Sequence, residues 1–235
     1  MSKLKGFRPF LILALLNGLL LALHISHVLF KIPSSGLFFI ENDHSLGEFL
    51  GYLQEFAIVI LLGLAALSQK QLLYLAWALL FLYLGLDDTF QLHETLGLWL
   101  SQQFGFSNLF GLRTQDLGEL IALALPYGLL ILFVVISHFR ADTVTKGISR
   151  ALLPMLGLLI FFGVIVDMLH IKLAFNIYLE RFAGFIEDGG EMVTLGLTLY
   201  TLAQWLKHNK AHFSGLSKPA FKPFTGSTSI SHQHK

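Results

Sequence analysis

Six stretches of the chain run for about twenty mostly apolar residues: 8–30, 48–68, 71–91, 117–139, 151–171 and 183–206. That is the length an α-helix needs to cross a bilayer. The apolar residues follow one another instead of alternating with period two, so the stretches do not read as strands of a membrane barrel. The pattern predicts an all-α, polytopic transmembrane bundle of six spans over residues 1–206. The first span follows Lys3, Lys5 and Arg8, as a signal peptide would. Its apolar run is too long for one and no small-x-small cleavage site comes after it, so an uncleaved span is expected. Two connections are long, 31–47 and 92–116. In the second, Leu92, Leu96, Trp99, Leu100 and Phe104 recur near the helical period, which predicts a short helix lying at the membrane interface.

Composition agrees with this. Hydrophobic residues make up 54% of the 235 positions and charged residues 13%, against about 25% charged in soluble domains. A net charge of +1 gives no field to attract nucleic acid. The absence of cysteine excludes disulfides, thiolate metal sites and cysteine nucleophiles. The basic residues set an orientation. With the N-terminus in the cytoplasm, twelve of the sixteen Lys and Arg fall on the inner side, leaving only Lys31, Arg113, Lys172 and Arg181 outside. Both termini are then cytoplasmic, in a plasma (inner) membrane. The tail, 207–235, is rich in Lys, Ser, Thr and Pro and is expected to be disordered.

On this topology the acids are distributed very unevenly. Of fifteen Asp and Glu, only Asp142 lies on the cytoplasmic side. The others occupy outer loops or the outer halves of spans, where an ionised group costs up to about 2.5–3.5 kcal/mol at the helix centre. They must be protonated, paired, hydrated or bound to a cation. Helical spacing aligns several of them. His44, Glu48 and Glu55 share a face in span two, as do Asp87, Gln91 and Glu94 in span three, with Asp88 alongside. Asp167 and His170 lie one turn apart in span five. Glu180, Glu187, Glu191, Thr194 and Thr198 form a stripe in span six, and Asn17, His24 and His27 align in span one. Polar stripes on apolar helices turn inward, so the stripes could converge on one cavity.

Simpler roles compete at each position. Glu41, Asp43 and Asp116 read as solvated loop acids. His24 and His27 read as hydrogen-bonding residues, and Asp167 could pair with Lys172 or Arg181. These readings are weakest for Glu55, roughly 10 Å below the outer surface at 1.5 Å per residue, for Asp87 and Asp88, and for Glu187, Asp188 and Glu191.

Carboxylates and imidazoles offered from several helices are the ligand set of carboxylate-bridged metal sites. The candidate ligands are Asp87, Asp88, His93 and Glu94 from span three and the connection after it, Asp167 and His170 from span five, Glu187 and Glu191 from span six, and Glu55 from span two. Zinc, iron or manganese would suit this set. The Glu-x-x-His spacing of di-iron bundles occurs only at Glu41–His44. Leu86-Asp87-Asp88-Thr89-Phe90-Gln91-Leu92-His93-Glu94, with Glu187-Asp188-Gly189-Gly190-Glu191-Met192, resembles uncharacterised multi-pass bacterial membrane proteins carrying an acidic pair followed by His-Glu. The resemblance implies a membrane bundle and no particular mechanism.

Three functions are compatible with the sequence. One is a metal-dependent membrane hydrolase or oxidoreductase acting on a lipid or another amphiphile. Another is a non-catalytic assembly factor or sensor of cations or pH. The third is an ion-coupled transporter, which is disfavoured because the cytoplasmic halves of the spans carry no charge. Membrane lipids are the expected surroundings, and no nucleic-acid partner is expected.

Overall fold

The computed structural model describes residues 2–106 and 113–209, with side chains from Leu11 onward. These residues form α1 (Ser2–Phe30), a single 3-10 turn (Gly36–Phe38), α2 (Leu46–Gln69), α3 (Leu72–Phe90), α4 (Leu92–Phe104), α5 (Thr114–Arg140), α6 (Thr143–Ile160), a π-helical segment (Phe161–Val166), α7 (Asp167–Leu173) and α8 (Ile177–His208). Among the described residues there is no strand. Lys207 and His208, expected in the tail, close α8 instead, and the tail from 210 on lies outside the described residues.

Five helical stretches are long and apolar enough to cross a membrane: Leu11–Phe30, Leu46–Gln69, Leu72–Phe90, Thr114–Arg140 and Thr143–Leu173. The sixth expected span lies in α8, which falls short of that measure because Glu180, Arg181, Glu187, Asp188 and Glu191 crowd its first half. At 32 residues it is still about 48 Å long. It packs against α1, α2, α6 and α7, so the most polar long helix occupies the middle of the bundle.

Local chemistry sets the boundaries. Ser45 caps α2 by accepting the Glu48 N–H at 3.2 Å, and the Glu48 carboxylate takes the N–H of His44. Asp142 caps α6 by accepting the Thr145 N–H at 2.7 Å, which starts this span eight residues before the expected position 151. Asn176 caps α8 in the same way.

The helix expected between spans three and four is α4. A left-handed residue, Gln91 at φ 49°, separates it from α3. It packs lengthwise on the start of α5, where Gly97 and Gly118 bring the two backbones together: a Cβ on Gly118 would overlap the Gly97 carbonyl. Farther along, Asp87 and Tyr83 both meet Tyr127. These pairings have nearly constant sequence sums, so α3 and α4 together run antiparallel to α5.

The two ends of the bundle differ. Lys70, Arg140, Lys146 and Arg150 mark a basic end, and below it lies a closely packed apolar core around Trp77, Tyr74, Phe81, Ile58, Leu62 and Leu152. The Trp77 indole N–H, buried in this core, donates to Ser149 Oγ at 3.0 Å. The acids collect at the other end.

Candidate functional site

At the acidic end, α2, α3, α8, the start of α4 and the 31–45 connection enclose a half-open cavity of about 180 Å³. Glu48, Glu55, Asp88, Glu94, Asp188 and Glu191 line it, together with Glu41 and Asp43. Among the described residues, His93 is the only lining side chain able to carry positive charge. Ile40, Met192 and Leu195 supply an apolar wall.

Glu55 is the deepest commitment of charge. Its side chain is 1% exposed, and neither carboxylate oxygen has a protein N–H or O–H donor; the group within hydrogen-bonding reach is another acid, Asp88. Its nearest strong charges are other carboxylates, Asp88 first and then Glu191. An unpaired carboxylate in such a place is costly unless it holds a proton or a cation. The fold makes room for it nonetheless: Gly85 of α3 faces it, and a Cβ there would stand 3.1 Å from Glu55 Oε2. Glu191 has a matching seat. It lies against Gly163 in the π-helical segment, where a Cβ would overlap its carboxylate. A π turn is rare, and such turns recur at functional positions. The Tyr52 hydroxyl completes this wall, donating to Glu48 one turn earlier and lying 3.1 Å from the Asp88 carbonyl.

The 31–45 connection folds inward over the site. His24 is 3% exposed and stacks between Phe39 and Phe185, with centroids 5.0 and 5.2 Å away. Its Nδ1 accepts the Ile40 N–H at 3.2 Å, so the ring proton is on Nε2, which faces Glu41 Oε1 at 3.5 Å. Glu41 is therefore not the solvated loop acid expected from its position, and Gly184 leaves space for its carboxylate. Burial, with a smaller contribution from Glu180, pushes the Glu41 carboxyl up to about 7 against the pull of His170 and Arg181. Asp116 departs from the same expectation. It is fully buried and pairs with Arg113 at 2.7 Å while accepting that residue's N–H, which fastens the start of α5. Asp43 is exposed, as expected.

Residues 45–205 match a domain of unknown function, DUF8692. The chain belongs to that family. The DUF8692 stretch opens at the Ser45 cap and runs into α8, so it contains every lining acid except Glu41 and Asp43. No curated protein and no solved structure matches the chain.

Of the nine candidate metal ligands, the fold brings five to the DUF8692 cavity: Glu55, Asp88, His93, Glu94 and Glu191. Asp87 stands behind the wall with its oxygens engaged. Oδ1 accepts the His93 N–H at 2.8 Å and lies 3.2 Å from His93 Nδ1, while Oδ2 accepts the Tyr127 hydroxyl at 3.2 Å. It thus caps α4 and aims the His93 ring. That ring feels two opposed influences: burial lowers its pKa, but the hydrogen bond and charge of Asp87 outweigh burial and raise it. The remaining candidates form a separate group. His170 Nδ1 meets Glu187 Oε2 at 2.8 Å, and Asp167 lies near them. Lys172 and Arg181 do not pair with Asp167; Arg181 instead lies over the Phe39 ring, 5.5 Å from its centroid. Among the described residues, no three His, Asp or Glu side chains form a group that could hold a metal ion.

Sequence reasoning passed over Tyr52, Gly85 and the seating role of Gly163. Tyr52 was accessible from its i+4 spacing to Glu48. The glycines carried no signal, because which side chain fills the space beside them depends on a neighbouring helix.

Proposed function

We propose that this DUF8692 chain is a six-span protein of the plasma (inner) membrane. Both termini are cytoplasmic, and its extracytoplasmic carboxylate pocket binds a cationic ligand without turning it over, so that occupancy is the signal. The observation that carries this reading is Glu55, buried against the Asp88 carboxyl with no protein donor to either oxygen, in a cavity lined by carboxylates and, among the described residues, by no Lys or Arg. A cation supplies the missing partner. The excess of Lys and Arg at the opposite end supports the orientation. The apolar core beneath the pocket supports binding over passage, since a path needs polar groups through the full thickness.

Metal-dependent action on a lipid or amphiphile, with zinc, iron or manganese, is the second reading. It is favoured by His93, the one imidazole in the pocket, whose Nε2 is not taken up by Asp87. The test is thermal unfolding of the detergent-purified chain over a panel of inorganic and organic cations. Stabilisation that saturates with concentration and disappears in Glu55→Gln is expected. An unfolding curve indifferent to every cation would overturn the reading. Saturation by zinc alone, lost in a His93→Ala variant, would favour the metal-dependent enzyme.

A further inference from the structure

We propose that the occupant of the pocket is an alkylammonium group, with its nitrogen held among Glu55, Asp88 and Glu191 and its carbon chain along Ile40, Met192 and Leu195. This rests on the cation reading above and names the ligand class. Three features of the cavity carry it. The three carboxylates come from three different helices, α2, α3 and α8, and an ammonium has three N–H donors to distribute. Two of them are seated on glycines, Gly85 and Gly163, so their positions are set by backbone and not by chance of rotamer. Glu55 is almost wholly buried in the lining, and the only group its oxygens meet is a second acid, Asp88, with no protein N–H or O–H donor.

The apolar side of the cavity then separates ligand classes. A bare inorganic ion has no use for a wall of Ile40, Met192 and Leu195, whereas a short methylene chain buries against it. The volume of about 180 Å³ exceeds what a single ion fills and suits an amine with a few carbons. Charge-assisted N–H···O bonds of about 2.7–2.9 Å would give Glu55 the donor it lacks. The same chemistry could come from an aminophospholipid headgroup or from a free amine.

The test is calorimetric titration of the full chain, reconstituted in phosphatidylcholine nanodiscs, with n-butylammonium, tetramethylammonium and calcium. Butylammonium is expected to saturate at one per chain. Tetramethylammonium, with equal charge but no N–H, is expected to bind at least tenfold more weakly. Glu55→Gln and Glu191→Gln should each weaken butylammonium at least tenfold, and Glu180→Gln, at the start of α8, less than twofold. Equal binding of the two organic cations would overturn the proposal, because charge alone would then suffice. Calcium binding without butylammonium binding would overturn it and leave the cation reading standing. No binding of any of the three would overturn both. Repeating the titration in phosphatidylethanolamine nanodiscs separates the sources. A blunted response supports the lipid amine as occupant, and an unchanged one supports a free amine.

Discussion

The helices α2, α3 and α8 each contribute to both ends of the bundle, and the two ends obey opposite rules. Toward the basic end, Ile58 and Leu62 of α2, Trp77 and Leu80 of α3 and Leu202 of α8 are fully buried against one another. The indole N–H that enters this core finds Ser149. Toward the acidic end, the same helices present Glu55, Asp88 and Glu191 to a cavity in which carboxylates are one another's nearest charges. Glycine marks the difference as well. At the basic end Gly147 gives its space to the Trp205 ring; at the acidic end Gly190 does the same for Phe162, but Gly85, Gly163 and Gly184 give theirs to carboxylates. One end is arranged for packing, and the other keeps charged groups in place at a cost to packing. Such a division is expected where a stable scaffold carries a binding site.

The contrast is broken most severely from the packed side. Trp77→Ala removes a fully buried ring and its hydrogen bond, and should cost about 3–5 kcal/mol in unfolding of the detergent-solubilised protein. A loss below about 1 kcal/mol would mean that the core is not what holds the bundle. Next comes Gly163→Ala, whose added methyl meets the Glu191 carboxylate and should cost about 1–3 kcal/mol. The double variant with Glu191→Ala should recover most of that loss, a non-additivity that a double-mutant cycle reads directly. Independent effects would show that the glycine is not the seat of that acid.

Glu55→Gln is expected to act in the other direction. Exchanging a buried carboxyl that meets only another acid for a neutral amide of the same shape, which can donate to Asp88, should stabilise the empty protein by about 1 kcal/mol, while abolishing its response to cations. Destabilisation in the absence of ligand would indicate a partner for Glu55 and remove the asymmetry between the two ends.

A pH-dependent effect concerns Glu41. Its carboxyl is raised from 4.5 to about 7 by burial, so the folded state holds a proton that the unfolded chain has released. Stability contributed by this group is present below about pH 4.5, declines as pH rises through that window and is fully lost above about 7. A Glu41→Gln variant should flatten that slope in pH-resolved melting curves; an unaltered slope would assign it elsewhere.

Much of the fold was legible in the chain. Runs of about twenty apolar residues located five spans within a few residues at most ends, because backbone groups in hydrocarbon have few ways to be satisfied other than a helix. Misjudged boundaries trace to single side chains: Asp142, which starts α6 early, and Asn176, which starts α8. The site was legible in part. That Glu55, Asp88 and Glu191 turn inward was readable from hydropathy and helical phase. That Asp87 turns away to cap α4, that Glu41 folds in beneath His24, and that Asp116 is buried with Arg113 was not. Each of these depends on a chain turn or a neighbouring helix that local periodicity does not encode.

The sequence by itself determined that this is a helical membrane protein with nearly all its acids gathered at one end and most of its bases at the other. Burial of apolar side chains and the one-dimensional order of charges are properties of the chain alone. Only the tertiary structure decided which acids share a cavity and which are spent on caps and ion pairs. That outcome depends on distances of a few ångströms between helices, and those distances are set by where glycines allow approach: Gly97 on Gly118, Gly85 beside Glu55, Gly163 beside Glu191.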